Sequence, residues 1–152
     1  MRIVVQRVSR AAVRSEGAIL GEIGRGAVVL VGIGVADSAE VVDRLADRLA
    51  GLRYFDDAAG RTNLAIDDVA GAYLVVSQFT LQADLRRGRR PGFATAAPPE
   101  VAAPLVARFV DRLRATGRPV ATGRFGAAME LELLNDGPFT LVLDSNEARG
   151  GA

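Results

Sequence analysis

The chain has 152 residues, 49% hydrophobic and 24% charged, with a formal net charge of +1, which is one domain's worth of ordinary globular composition with no global field to draw in a polyanion. It contains no Cys and no His, and all 19 basic side chains are Arg. Disulfides, thiolate nucleophiles, Ser-His-Asp triads, His or Cys zinc sites and Schiff-base lysines are thereby excluded, leaving Asp, Glu, Tyr, Ser, Thr, Arg, backbone groups and a substrate's own atoms for chemistry.

Arg2-Ile3-Val4-Val5-Gln6-Arg7-Val8 predicts a strand in which Ile3, Val5 and Arg7 share one face under period-2 alternation. Arg7 then points inward or, on an edge strand, into water; this stretch alone leaves both readings open. Ala11 to Ser15 and Ala18 to Ile23 flank a hairpin turn at Glu16-Gly17, and Gly24-Arg25-Gly26 turns the chain again. Ala27 to Ile33 is apolar on both faces, so it predicts a central strand covered from both sides. Asp37-Ser38-Ala39-Glu40 has the form of a capping box. It heads an amphipathic helix with Val41, Leu45, Leu49 and Leu52 on the inner face and Asp43, Arg44, Asp47 and Arg48 in solvent. Asp56 to Gly60 and Asp67-Asp68 read as loops; adjacent acids suit a hard cation, but no recognised loop pattern supplies the other oxygen ligands, so no metal is expected.

Tyr73 to Val76 predicts a buried strand, and at its exit Ser77-Gln78-Phe79-Thr80-Leu81-Gln82-Ala83 brings two hydroxyls, an amide and a row of backbone N–H groups. Such groups can hold a carbonyl and its developing negative charge without any acid or base. A strand that simply continues is the alternative for this stretch by itself. Asp84 to Phe93 is a Gly- and Pro-containing loop with Arg86, Arg87, Arg89 and Arg90, four Arg in five positions, whose forks suit phosphate oxygens; a solvated loop is the other reading. A helix follows from Pro99 to about Ala115 with Val101, Leu105, Phe109 and Leu113 on one face, and Pro104 implies a kink or a late start. Pro119 to Thr122 and Ala128 to Leu134 predict strands, Asn135-Asp136-Gly137-Pro138 a turn with a prolyl bond that can be cis, and Phe139 to Leu143 the last strand. Asp144 to Ala152 reads as a frayed polar tail, and no domain linker or internal repeat interrupts the chain. No long apolar run and no basic leader followed by an apolar core is present, so neither membrane span nor secretion is expected and the cytoplasm is the default.

Ser77-Gln78-Phe79-Thr80-Leu81 together with Asn135-x-Gly137-Pro138-x-Thr140 resembles the signature pair of the D-aminoacyl-tRNA deacylases. The likeness extends to Ile3 to Val8, Gly21 to Gly24, Arg89 to Phe93 and Thr122 to Phe125, and covers the chain up to about Leu143. What the resemblance implies is an α/β fold: a compact single domain over residues 1–152, layered β/β/α, with barrel-like, antiparallel-rich sheets covered by two main helices. It implies hydrolysis of the ester joining a D-amino acid, or glycine, to the 3′ terminal adenosine of tRNA, without cofactor or metal. It implies a homodimer with active sites at the interface, where a Gly137-cis-Pro138 turn from one subunit reaches the pocket holding Ser77, Gln78, Phe79 and Thr80 of the other. In the implied roles, Ser77 to Thr80 act mainly through backbone N–H groups and positioning, Gly137, Pro138, Arg7 and Asn135 bind substrate and reject L-amino acids, and Arg86, Arg87, Arg89 and Arg90 contact tRNA. Three other readings remain: a related deacylase removing L-alanine from tRNA, whose Gly-Pro turn is trans; a non-catalytic RNA-binding module; and a metal-dependent phosphodiesterase built on Asp56, Asp57, Asp67 and Asp68.

Overall fold

A computed structural model describes residues 1–86 and 88–147 of the chain. Arg87 and residues 148–152, which include most of the expected polar tail, lie outside the described residues.

The dense Ile and Val of the N-terminus produce a strand longer than its sequence pattern announces, β1 at Arg2–Ser15. A two-residue turn with positive φ at both Glu16 and Gly17, 52° and 79°, matches the twist of a hairpin and returns the chain as β2, Ala18–Ile23. β3, Gly26–Gly32, pairs antiparallel with the first half of β1, Ile3 facing Val31 and Val5 facing Val29. β6, Ala72–Ser77, lies parallel to β3, and β7, Val120–Thr122, parallel to β6. Along the other edge of β1 runs β8, Glu130–Asp144, giving the order β2-β1-β3-β6-β7 with β8 on β1. A separate hairpin of β4, Arg53–Asp56, and β5, Thr62–Ala65, follows the first helix. β5 is absent from the sequence reading because Thr62-Asn63-Leu64-Ala65 carries no alternation.

Both faces of the central strands are covered, as their uninterrupted apolar runs require. Val29, Val31, Tyr73 and Val75 turn toward the helices α1, Ala39–Gly51, and α2, Pro99–Arg114. Val28, Leu74 and Val76 turn the other way, into a second core closed by Val13 of β1, Leu20 of β2, Ala121 of β7 and Leu131 of β8. The sheet thus curls into a nearly closed barrel with the two helices on one side, the β/β/α layering of an α/β fold.

The helices differ from expectation in detail. α1 buries Val42, Leu45, Ala46 and Leu49, so its inner stripe includes Val42 and Ala46, and Leu52 falls beyond its end. The capping box does not form: Ser38 is the N-cap without a side-chain bond, while the Asp37 carboxylate accepts from the Met1 ammonium and from the Gly34 N–H at 2.6 Å. α2 begins at Pro99 and runs through Pro104, with no late start. The carbonyl that Pro104 cannot bond belongs to Glu100, an exposed residue where water can serve. Across the outer layer Arg108 grips Asp43 and Arg112 grips Asp47 with paired bonds of 2.7 to 2.8 Å; at this exposure each contributes little to stability.

The chain's end is tied down further than expected. Asp144 takes the Arg2 guanidinium, and the buried Ser145 accepts from the Met1 ammonium at 2.7 Å and donates its N–H to the Met1 carbonyl at 2.9 Å.

Tyr54 and Tyr73 are buried beneath the helices, and neither hydroxyl finds a partner with hydrogen-bonding geometry among the described residues. Burial pushes the Tyr73 phenol up to about 12 and Tyr54 higher still. An unfolded tyrosine ionises near 10, so between about pH 10 and 12 the unfolded chain gives up protons that the folded chain keeps. Stability therefore falls as pH rises through that window. Tyr73→Phe is expected to make the fall shallower, as urea midpoints at about pH 8 and about pH 11 will show; a decline as steep as that of the parent chain counts against this account.

Candidate active site

β6 stops where its neighbour stops. The Gln78 N–H donates to Val31 O at 2.7 Å, one step past the last paired residue, and the chain then coils into a single 3₁₀ turn, Phe79–Gln82. The turn can sit against β3 because position 32 is glycine: a Cβ there would lie 2.8 Å from Leu81 Cβ and 2.9 Å from Gln78 O. Three polar ties hold it. Gln82 Nε2 donates to Gly32 O at 2.8 Å, Thr95 Oγ1 to Gln82 O at 2.6 Å, and Arg2 Nη1 to Leu81 O at 2.6 Å.

What the turn leaves unused is the useful part. Among the described residues, Ser77 Oγ, the Gln78 amide and the Thr80 hydroxyl make no hydrogen bond, and the N–H groups of Phe79 and Thr80, at the turn's start, find no acceptor. Beside them opens a cavity of about 570 Å³ that Ser77, Gln78 and Phe79 line together with Phe125, Met129 and Leu131, and none of its lining residues is ionisable. Phe79 is 58% exposed at its rim and packs edge-on against Phe93, ring centroids 5.0 Å apart. Phe125, Met129 and Leu131 were not among the expected site residues; the Gly123-Arg124-Phe125-Gly126 stretch was the available signal, because glycines flanking an aromatic mark a backbone folded close to another element.

The second motif is a protrusion from β8. Gln6 pairs with Thr140 and Val8 with Asn135, so Arg7 alone stands opposite the four residues Asp136, Gly137, Pro138 and Phe139. The expected turn between two strands is therefore a bulge within one long strand. Arg7 is buried, and its side chain organises the bulge. Nε donates to Asp136 O at 2.9 Å, Nη1 to Tyr54 O at 2.9 Å, the carboxylates of Asp56 and Asp136 stand 3.3 and 3.5 Å away, and the guanidinium lies 4.9 Å from the Phe139 ring centroid. Asn135 closes the bulge on itself, its amide donating to Arg7 O and Phe139 O and accepting from the Phe139 N–H at 2.9 to 3.1 Å. Gly137 has φ +139°, and a Cβ there would lie 2.9 Å from the Phe139 nitrogen and 3.2 Å from Arg7 Nη2, so no other residue fits. The Gly137–Pro138 peptide is cis, and both residues are exposed.

Within one chain these motifs do not meet. Arg7 faces Ala27, which neighbours Tyr73, while Ser77 lies four residues further along β6, about 13 Å in the strand direction. Neither Gly137 nor Pro138 lines the cavity.

The arginine loop is pinched shut by Asp84 and Gly92, which exchange backbone bonds of 2.7 and 2.9 Å. Arg86 folds onto Asp84 through bonds of 2.8 and 2.7 Å, and this guanidinium holds the Asp84 carboxyl far below the usual range. Arg89 and Arg90 are exposed and make no ion pair among the described residues. The four acids weighed as metal ligands are engaged separately: Asp56 with Thr62 and Arg7, Asp57 with its own loop, Asp67 with Arg118, Asp68 with the Ala65 N–H. Among the described residues no trio of such groups gathers to hold a cation.

Residues 4–144 match the profile of the family described as D-Tyr-tRNA(Tyr) deacylase. The chain is 56% identical over 149 residues to a D-aminoacyl-tRNA deacylase of Chloroflexus aurantiacus, covering 98% of this chain and 93% of that one. It is 57% identical over 145 residues to another of that name from Anaeromyxobacter dehalogenans, covering 95% and 97%. Among solved structures, one titled c-Myc DNA Unwinding Element Binding Protein is similar at TM-score 0.90 and 39% identity, covering 95% of this chain and 98% of that one. A probable eukaryotic D-amino acid tRNA deacylase shares the fold, with TM-score 0.81 at 17% identity, covering 93% and 97%.

Removing the guanidinium at the centre of the bulge tests its anchoring role. Arg7→Met should lower stability by about 1–3 kcal/mol, because the Asp136 and Tyr54 carbonyls lose a charged donor. Arg7→Lys should not restore it, since one ammonium cannot span both carbonyls as the planar fork does. Urea unfolding measures both; a midpoint unmoved in Arg7→Met would show that the bulge holds itself.

Proposed function

The chain belongs to the D-Tyr-tRNA(Tyr) deacylase family, and from that premise we propose that it hydrolyses the ester joining a D-amino acid, or glycine, to the 3′ terminal adenosine of tRNA, as a chiral proofreading enzyme of the cytoplasm. The observation that carries the reading is the cavity beside Ser77, Gln78 and Phe79, which offers free hydrogen-bonding groups and no acid or base. An aminoacyl ester is already activated, so it needs holding and charge stabilisation more than proton transfer by the protein. In the proposed reaction water adds to the ester carbonyl, and the N–H groups of Phe79 and Thr80 receive the oxyanion, a contribution worth roughly 3–4 kcal/mol per donor where such donors have been removed. The tetrahedral intermediate collapses to the free amino acid and the ribose hydroxyl, and the vicinal 2′-hydroxyl of the same ribose orients the water. Ser77 and Gln78 position the substrate.

Chirality is read by backbone. The exposed Gly137 and Pro138 carbonyls receive the ammonium of a D-amino acid, and the side chain of an L-amino acid collides with the same turn. Main-chain recognition is indifferent to side-chain identity, so one site serves many D-amino acids. Arg7 and Asn135 act by holding the turn, since their polar groups are spent on its backbone. Because the turn and the cavity stand apart within one chain and neither Gly137 nor Pro138 lines the cavity, the working site is read as composite and the enzyme as a homodimer, each turn entering the partner's cavity. The outer edge of β8, with Leu134 54% and Val142 60% exposed, supports such an interface. Arg86, Arg87, Arg89 and Arg90 contact tRNA phosphates, and an exposed pair such as Arg86 with Asp84 is readily exchanged for one.

Two measurements test the reading. The purified chain should release D-tyrosine from tRNA over many turnovers and leave L-tyrosine bound; equal release of both, or none of either, overturns it. Thr80→Ala should retain activity within about tenfold, whereas D-tyrosyl-tRNA ending in 2′-deoxyadenosine should be cleaved about 10²-fold more slowly at saturating enzyme. A trapped acyl-Thr80 adduct would replace assisted hydrolysis with covalent catalysis.

A further inference from the structure

The 3₁₀ turn that carries the Phe79 and Thr80 N–H groups is only four residues long, Phe79–Gln82, and such turns have poor internal hydrogen-bond geometry. Its internal closure is weak, Leu81 N to Gln78 O being 3.3 Å, and the Leu81 carbonyl falls at its end, where no residue of the turn can serve it. The group that serves it comes from the far end of the sequence order, from Arg2 at the start of β1.

Arg2 occupies a junction, paired with Gly32 of β3 on one side and Asp144 of β8 on the other. Its guanidinium is fixed by Asp144, which receives Nε at 3.0 Å and Nη2 at 2.9 Å, and Asp144 is itself held by the Asn146 N–H at 3.0 Å. With two nitrogens committed and the fork planar, the third is aimed, and Nη1 meets Leu81 O at 2.6 Å. The Asp144 side chain is 14% exposed and that of Arg2 41%, so water reaches the outer part of the guanidinium while the carboxylate that orients it is largely covered.

We propose that Arg2 is a positioning residue for the Ser77–Thr80 site: by holding Leu81 O against the β1–β8 junction, it fixes the peptide planes from which Phe79 and Thr80 donate to the reacting ester. This rests on the deacylase reading above. Arg2 touches neither substrate nor oxyanion. Its effect on rate comes from the accuracy with which the donors are held, because a constellation loosened by about an ångström loses most of its advantage.

The test uses the full chain with Arg2→Met, which keeps the apolar stem, and Arg2→Lys, which keeps the charge and a donor. Amide hydrogen exchange should quicken about tenfold in Arg2→Met at the Leu81 and Ala83 N–H groups, which bond Gln78 O and Thr80 O and so close the turn, the factor expected for losing a charged hydrogen bond, while β3 and β6 keep their protection. In single turnovers on D-tyrosyl-tRNA, its rate constant at saturating enzyme should fall about tenfold with half-saturation within about twofold, and Arg2→Lys should recover part of the rate. Unchanged exchange in the turn overturns the proposal whatever the activity does, as does a wild-type cleavage rate in Arg2→Met. Exchange quickened equally throughout the chain also overturns it, by making Arg2 a general stabiliser. Failure of the unmutated chain to release D-tyrosine would instead strike the deacylase reading, and the exchange pattern alone would then decide the role of Arg2.

Discussion

Everything of functional interest takes its place from one strand with three partners. β1 is paired along both edges, with β3 and then β2 on one side and with β8 along the other. A strand so committed cannot slip, since a one-residue shift would turn Ile3, Val5 and Val13 out of two cores at once. That rigidity makes the mismatch at Arg7 informative. Where β1 has one residue and β8 has four, the surplus must leave the sheet, and a buried cation with two backbone carbonyls in its grip dictates how it leaves. At the start of the same strand, five residues before Arg7, Arg2 meets the turn after β6. The two motifs separated by 57 positions, from Thr80 to Gly137, are thus both referred to a single strand.

The composition and the cavity agree about chemistry. A chain without His, Cys or Lys cannot build the usual hydrolase machinery, and the cavity beside Ser77 is lined, among the described residues, by no ionisable side chain. The polar residues along it are Ser77 and Gln78, with a hydroxyl and an amide, beside the backbone of the turn, and such groups act on charge that develops in a transition state with little reorganisation of their own. Because donors of this kind have no pKa to tune, their positions become the adjustable quantity. That explains the concentration of constraint on so short a turn: glycine at 32, the Gln82 side chain, Thr95 and Arg2 all bear on it.

Using Arg for every cation also has structural consequences. Arg7 and Arg2 each bond a backbone carbonyl and carboxylates at once, and Arg108 and Arg112 bind Asp43 and Asp47 two-pronged across the helices. A lysine ammonium offers no planar fork and could not reproduce the first two. The same side chain therefore serves as an internal bracket at Arg2 and Arg7 and as a solvated surface charge at Arg89 and Arg90.

Much of this was legible in the residues themselves. Period-2 alternation marks β1, the doubly apolar run from Ala27 marks a central strand, and a helical repeat from Val41 marks α1, because each records locally which face meets the core. The polar stretch after Val76 and the Gly-Pro after Asn135 likewise announce themselves by breaking apolar patterns. Tertiary structure alone decided the rest. Whether Arg7 points inward or into water depends on β8 covering the second edge of β1, a pairing across more than 120 positions that no local pattern encodes. The Asp37 carboxylate had a good local use as a helix cap and was drawn instead to the Met1 ammonium, a stronger partner that only folding brings near. Gly137-Pro138 marks where β8 is interrupted but leaves open whether the chain turns back there or bulges and continues. The bulge and its length follow from the residues between Gln6–Thr140 and Val8–Asn135, which requires the register of both strands. Sequence determines which faces are apolar and where backbone is freed; which groups then meet is settled by long-range pairing, because the energy of those contacts depends on geometry that exists only after the sheet has closed.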